Sequence, residues 1–192
     1  MVAGLLARAA ARPPWAMGAL GLISGALSTW LGFEFGPHWL RRLGAVFLLE
    51  AEMVPIGAFF AAAVALGLWL AAGRAVVLPV AALATLYAWS AAIHTATSII
   101  TTEGDLRLIA GCLAAGAVGA AITQIGAGIV LRELWRPWLL ARTTLIGALL
   151  GLLYYAGERS ILDGRLLFLL WQPAIAYAIG TGLAGRAQVA GA

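Results

Sequence analysis

The stretch MVPIGAFFAAAVALGLWLAA, residues 53–72, runs for twenty residues without a charged side chain. As a helix rising about 1.5 Å per residue it is about 30 Å long, the thickness of a bilayer's hydrocarbon core. The run is continuous and lacks the every-other-residue alternation of a membrane β-barrel strand. Five further apolar runs flank it, at about residues 15–33, 75–97, 106–131, 139–156 and 166–185. The pattern predicts an all-α fold, a polytopic integral membrane protein forming one domain over residues 1–192. Its expected architecture is a bundle of six transmembrane helices with short loops.

Composition agrees. The 192 residues are 63% hydrophobic and 10% charged, with a mean hydropathy of +0.97. A soluble domain carries about 25% charged residues, so this chain cannot coat a water-facing surface. A soluble enzyme, a disulfide-stapled secreted domain and a disordered chain are excluded. The net charge of +4 comes from twelve arginines and no lysine, placed singly or in pairs at the ends of apolar runs. They read as topology anchors rather than as a nucleic-acid surface. Without lysine, Schiff-base chemistry on the chain is excluded. Cys112 stands alone, which rules out an internal disulfide and cysteine-based zinc or iron–sulfur sites.

The first run follows a basic stub and could pass for a secretory signal, but it is longer than a 7–15 residue signal core and is read as an uncleaved helix. Sidedness follows from arginines near span ends. Arg8, Arg12, Arg74, Arg132, Arg136, Arg142 and Arg186 fall on the side of the N-terminus, against Arg41, Arg42, Arg107, Arg159 and Arg165 on the other. Both termini are therefore expected in the cytoplasm, in a multi-pass protein of the cell (inner) membrane. The connection from Glu34 to Glu52 mixes basic and apolar residues, and part of it is expected to lie along the outer interface as an amphipathic segment.

Small residues recur at helical spacing: Gly21, Gly25 and Ser28; Ala115, Gly119 and Thr123; Gly147 and Gly151. In lipid such stripes let backbones approach closely, so they are expected contact faces, within the chain or toward a second copy or partner membrane subunit. Pro55 suits a first helical turn, and Pro79 and Pro173 are expected near helix starts. Trp15, Trp30, Trp69, Trp135, Trp138 and Trp171 fall near span ends and are assigned, most of them, to an interfacial aromatic belt.

Polar groups inside apolar spans are where function is expected. Ser90, His94, Thr97, Ser98 and Thr101 share one face of the third span, either as the lining of a cavity or as a helix whose hydroxyls bond back to its own carbonyls. Counted along the helices, His94, Tyr154, Tyr155 and Gln172 lie in the outer half, with Glu50 and Glu52 at its boundary and Gln124 nearer the cytoplasm. Glu50 and Glu52 point about 200° apart on a helix, which argues against a paired-carboxylate acid–base site. The cavity candidates are thus His94, Ser90, Thr97, Gln172, Tyr154, Glu50 and Glu52. No P-loop, HExxH, GxSxG or CxxC motif is present, and no catalytic residue, metal site or cofactor is indicated. The expected function is a transporter or channel for a small solute or ion, with a polar cavity in the outer half. A non-catalytic assembly or binding subunit comes second, and a membrane-embedded enzyme acting on a lipid, with His94 as base, third. The expected partner is the lipid bilayer, and nucleic acid is not.

Overall fold

The computed structural model describes residues 12–31, 40–48, 53–101 and 104–189. Seven α-helices follow in order: α1 (Pro13–Trp30), α2 (Leu40–Phe47), α3 (Val54–Ala72), α4 (Val77–Ile99), α5 (Asp105–Val130), α6 (Pro137–Glu158) and α7 (Leu166–Val189). A 3-10 turn, Arg132–Leu134, joins α5 to α6, and no strand occurs among the described residues. Five helices, α3 to α7, are long and apolar enough to cross a membrane by length and composition. The sixth expected span, α1, falls short. Its 18 residues open with Pro13 and Pro14 and carry Ser24, Ser28 and Thr29, which dilute its apolar character.

The starts and stops are local. Pro137 and Pro55 occupy first-turn positions, where a missing N–H breaks no ladder bond. Gly73 ends α3 at φ +67°, a left-handed conformation that a side chain would strain, and its N–H closes on the Trp69 carbonyl at 2.8 Å. Pro173 departs from expectation: it lies inside α7, so the helix lacks the ladder bond its N–H would have made.

The six long helices pack in chain order around a closed ring, α1, α3, α4, α5, α6 and α7, with α7 returning to α1. Neighbours run antiparallel. Along α1, Pro14, Gly18, Gly21 and Gly25 meet Gly180, Tyr177, Pro173 and Phe168 of α7 in reverse order. The expected small-residue faces are used within the chain, with one change of register. On α5, Cys112, Gly116 and Ala120 meet Gly147 and Gly151 of α6, while Gly119 faces Ala92 of α4 and the Trp171 ring. The rows 112, 116, 120 and 115, 119, 123 both consist of small residues, so spacing alone does not select the face.

The ring is filled. Met17, Phe60, Val64, Leu68, Ala120, Leu139, Trp171, Ile175, Ile179 and Leu183 form a single buried cluster. Outside, Leu22 and Ile23 of α1, Val80 and Leu83 of α4, and Leu145 and Leu149 of α6 stand exposed. A bundle apolar both inside and outside has hydrocarbon, not water, as its natural surroundings.

Within the connection between α1 and α3, helix α2 docks against the bundle. Phe47 is buried beside Val54, its ring lies edge-on to Tyr87 at 4.9 Å, and Ser90 donates to its carbonyl at 2.5 Å.

Candidate functional site

Buried polar side chains among the described residues are all neutral: Ser24, Ser28, Thr29, Thr85, Ser90, Thr123, Gln124, Thr143 and Gln172. Several hydroxyls are satisfied by their own helix, as Thr29 on the Gly25 carbonyl, Thr85 on Ala81 and Thr123 on Gly119. Two clusters join different helices instead, each built on one glutamine.

The first is centred on Gln172 of α7. Its Oε1 accepts from Ser24, and Ser28 lies at 3.5 Å; its Nε2 donates to the Ser28 hydroxyl at 3.1 Å. Ser28 also reaches the Ile56 carbonyl of α3, at 3.3 Å. An amide, two hydroxyls and a carbonyl thus tie three helices together. Glycine permits it: a Cβ at Gly21 would lie 2.6 Å from the Pro173 Cα, so only a bare backbone brings α1 close enough for its short serines to reach Gln172.

The second cluster lies toward the opposite end of the ring. Gln124 of α5 donates to the Leu134 carbonyl at 3.0 Å and accepts from Thr143 of α6 at 3.3 Å. It pins the 3-10 turn beneath the bundle, where Leu134 and Leu139 press on Gly182. Replacing Gln124 by Leu takes one of two donors from the Leu134 carbonyl, which keeps the Arg136 N–H at 2.9 Å, and removes the acceptor of the buried Thr143 hydroxyl. The variant is expected to unfold about 1–2 kcal/mol more easily in detergent, the magnitude of an interhelical polar contact in membrane proteins, as read by thermal or denaturant unfolding.

Next to Gln172 on α7 stands Trp171. It is 9% exposed, its Nε1–H donates to the Gly147 carbonyl at 3.2 Å, and its ring meets Phe60 edge-on at 5.4 Å. It therefore crosses from α7 to α6 and α3 and does not belong to the interfacial belt. The reason is its register: positions 171, 175, 179 and 183 share the core-facing side of α7. Toward the outer-assigned end, Trp89 of α4 and Phe168 of α7 form a second edge-on pair at 6.0 Å, and Trp89 donates to the Met53 carbonyl at 2.9 Å.

Of the sequence candidates, Gln172 sits in the first cluster, and Ser90 is buried on the α2–α4 contact. His94 and Thr97 are exposed on α4, and Thr97 bonds back to the Ile93 and His94 carbonyls at 3.1 and 3.2 Å. Ser98 bonds back likewise, to Thr95 at 2.9 Å. Tyr154 is exposed on α6, and Glu50 and Glu52 lie outside the described residues. Among the described residues no hydrogen bond joins His94, Tyr154 and Gln172, and no group of three His, Cys, Asp or Glu side chains is placed to hold a metal ion. Ser24, Ser28 and Thr143 entered the sequence reading, if at all, only as small packing residues; the signal that marks them is a hydroxyl in a glycine stripe opposite a buried amide. No protein family, curated protein or solved structure matches this chain.

Proposed function

We propose that the protein is a six-span bundle of the cell membrane, with both termini cytoplasmic, that passes a small neutral polar solute through the centre of its ring. In this reading the conformation described above is the closed one. The observation that carries it is a set of neutral polar groups within the ring: the Trp171 indole and, on the next residue of α7, the amide–hydroxyl cluster at Gln172, with another cluster at Gln124 toward the other end. Amides and hydroxyls exchange hydrogen bonds with a neutral solute, and the fully buried polar residues among those described are all uncharged. Pro173, two residues beyond the plug, supplies the point where α7 can bend. That α1 is a sixth span is supported by its polar groups: Ser24, Ser28 and Thr29 are all buried and bonded, so none is turned to lipid.

The test is stopped-flow shrinkage of proteoliposomes in gradients of small amides and polyols. Wild-type protein is expected to raise solute permeability above that of empty vesicles, and Gln172→Leu to reduce the increment about fivefold through loss of an exchangeable amide. Wild-type vesicles indistinguishable from empty ones across the panel would sink the reading.

One observation favours the assembly role instead. Tyr87, His94 and Ser98 lie exposed on one face of α4, where polar groups would otherwise face acyl chains. Native mass spectrometry separates the two readings: stoichiometric complexes with other chains belong to the assembly role, and a monomer or homo-oligomer to the conduit.

A further inference from the structure

Arg142 lies on the seam between α6 and α7, which share less contact than most neighbours in the ring. It is the sixth residue of α6, about 7.5 Å along the helix from Pro137, so a positive charge stands at or just below the level of the lipid headgroups. The guanidinium bonds to neutral groups of α7, the Ala178 carbonyl at 3.1 Å and the Thr181 hydroxyl. The Trp138 ring lies 5.2 Å from its Cζ, and its Nε is buried without an acceptor.

The surroundings continue the pattern. Trp138, Arg142, Leu145 and Leu149 follow one another at spacings of four, three and four, which places them on one face of α6. Trp138, Leu145 and Leu149 are exposed. An indole, a guanidinium and then two bare leucines run from the helix start toward the membrane interior. Arg132, Trp135 and Arg136, also exposed, occupy the same end of the bundle. A phosphodiester offers a negative charge and acceptor oxygens that match a guanidinium's planar fork, and its acyl chain needs an apolar track leading away from it.

We propose that this face of α6 holds one anionic phospholipid, its phosphate on Arg142 and an acyl chain along Leu145 and Leu149. The proposal rests on the bundle lying in a membrane and not on solute conduction. The phosphate neutralises a charge that the neutral α7 acceptors leave uncompensated, and the lipid closes the seam from outside. A helix-to-helix staple alone would also use the Ala178 and Thr181 bonds, but it would be indifferent to lipid headgroup.

That difference is the test. The full chain, purified in detergent, is mixed with equal amounts of phosphatidylglycerol and phosphatidylcholine and examined by native mass spectrometry. Wild type is expected to retain one phosphatidylglycerol with a preference of about tenfold. Arg142→Gln is expected to lower that preference to near unity, while Arg42→Gln, exposed on α2 at the other end, leaves it unchanged. If Arg142→Gln does not fold, Arg142→Lys decides: loss of the fork is expected to weaken phosphatidylglycerol retention about threefold, and unchanged retention overturns the assignment. Equal retention of the two lipids by wild type, or an Arg142→Gln variant that keeps the preference, also overturns it. Displacement of the lipid by millimolar inorganic phosphate would show a site for free phosphate and not for a headgroup.

Discussion

Gly147→Leu is expected to leave no folded bundle: the purified variant should elute as aggregate, or show no cooperative thermal transition in a detergent that preserves wild type. Position 147 is one of the points where α6 crosses α5 with no room for a side chain. A Cβ there would overlap the Ala120 methyl and lie 2.5 Å from the Gly116 carbonyl oxygen, both fixed by backbone. The same peptide carries the carbonyl that holds the Trp171 indole, so pushing α6 outward also breaks that bond. Helices in lipid gain little from hydrophobic burial against one another and depend on close packing, which makes a few tenths of an ångström decisive. Gly147→Ala already overpacks the contact and is expected to cost about 1–3 kcal/mol. Gly18→Ala provides the contrast. Its Cβ would meet Tyr177 at 3.4 Å, an ordinary contact, and its thermal midpoint should stay close to wild type. A Gly147→Leu protein that melts like wild type would show that α5 and α6 do not pack as described.

These contacts also show what one chain of letters reveals. Uncharged runs of about twenty residues mark helices because a bilayer admits little else, and α3 to α7 begin and end within a few residues of the expected spans. An amphipathic segment was expected between Glu34 and Glu52, and there helix α2 occupies Leu40–Phe47. The choice of face was less legible. Hydropathy cannot separate core from lipid when both are apolar, so Trp171 read like the belt tryptophans although it crosses the ring. For the same reason the contact register on α5 toward α6 is 112, 116 and 120, where 115, 119 and 123 were expected. The hydroxyl stripe of α4 was visible as spacing. Bonding back to the helix's own carbonyls was one of its two expected readings, and Thr97 and Ser98 follow it; the Ser90 partner was not legible, because it is the Phe47 carbonyl of another helix.

Trp171→Ala is expected to open the ring, raising the permeability of proteoliposomes to small neutral solutes at least about tenfold over wild type, a barrier reduction of about 1.4 kcal/mol or more. The indole is the largest side chain in the central cluster, and Phe60, Gly119 and Gly147 contact it from three different helices. Its removal leaves a cavity lined on one side by the Gly147 carbonyl, which has lost its indole donor and keeps its helix bond, with the Gln172 amide on the next residue of α7. A void with such polar edges can take up water where a purely apolar one stays dry. The cost in stability is expected to be large, up to the 3–5 kcal/mol of aromatic truncations in cores, so flux is read at a temperature where circular dichroism shows the helices intact. Trp171→Phe separates plugging from anchoring: the ring still fills space, but the bond to Gly147 is gone. It should therefore conduct little more than wild type while melting earlier. If Trp171→Ala folds and conducts no better than wild type, the centre of the ring is a core and not a path, and the assembly reading takes its place.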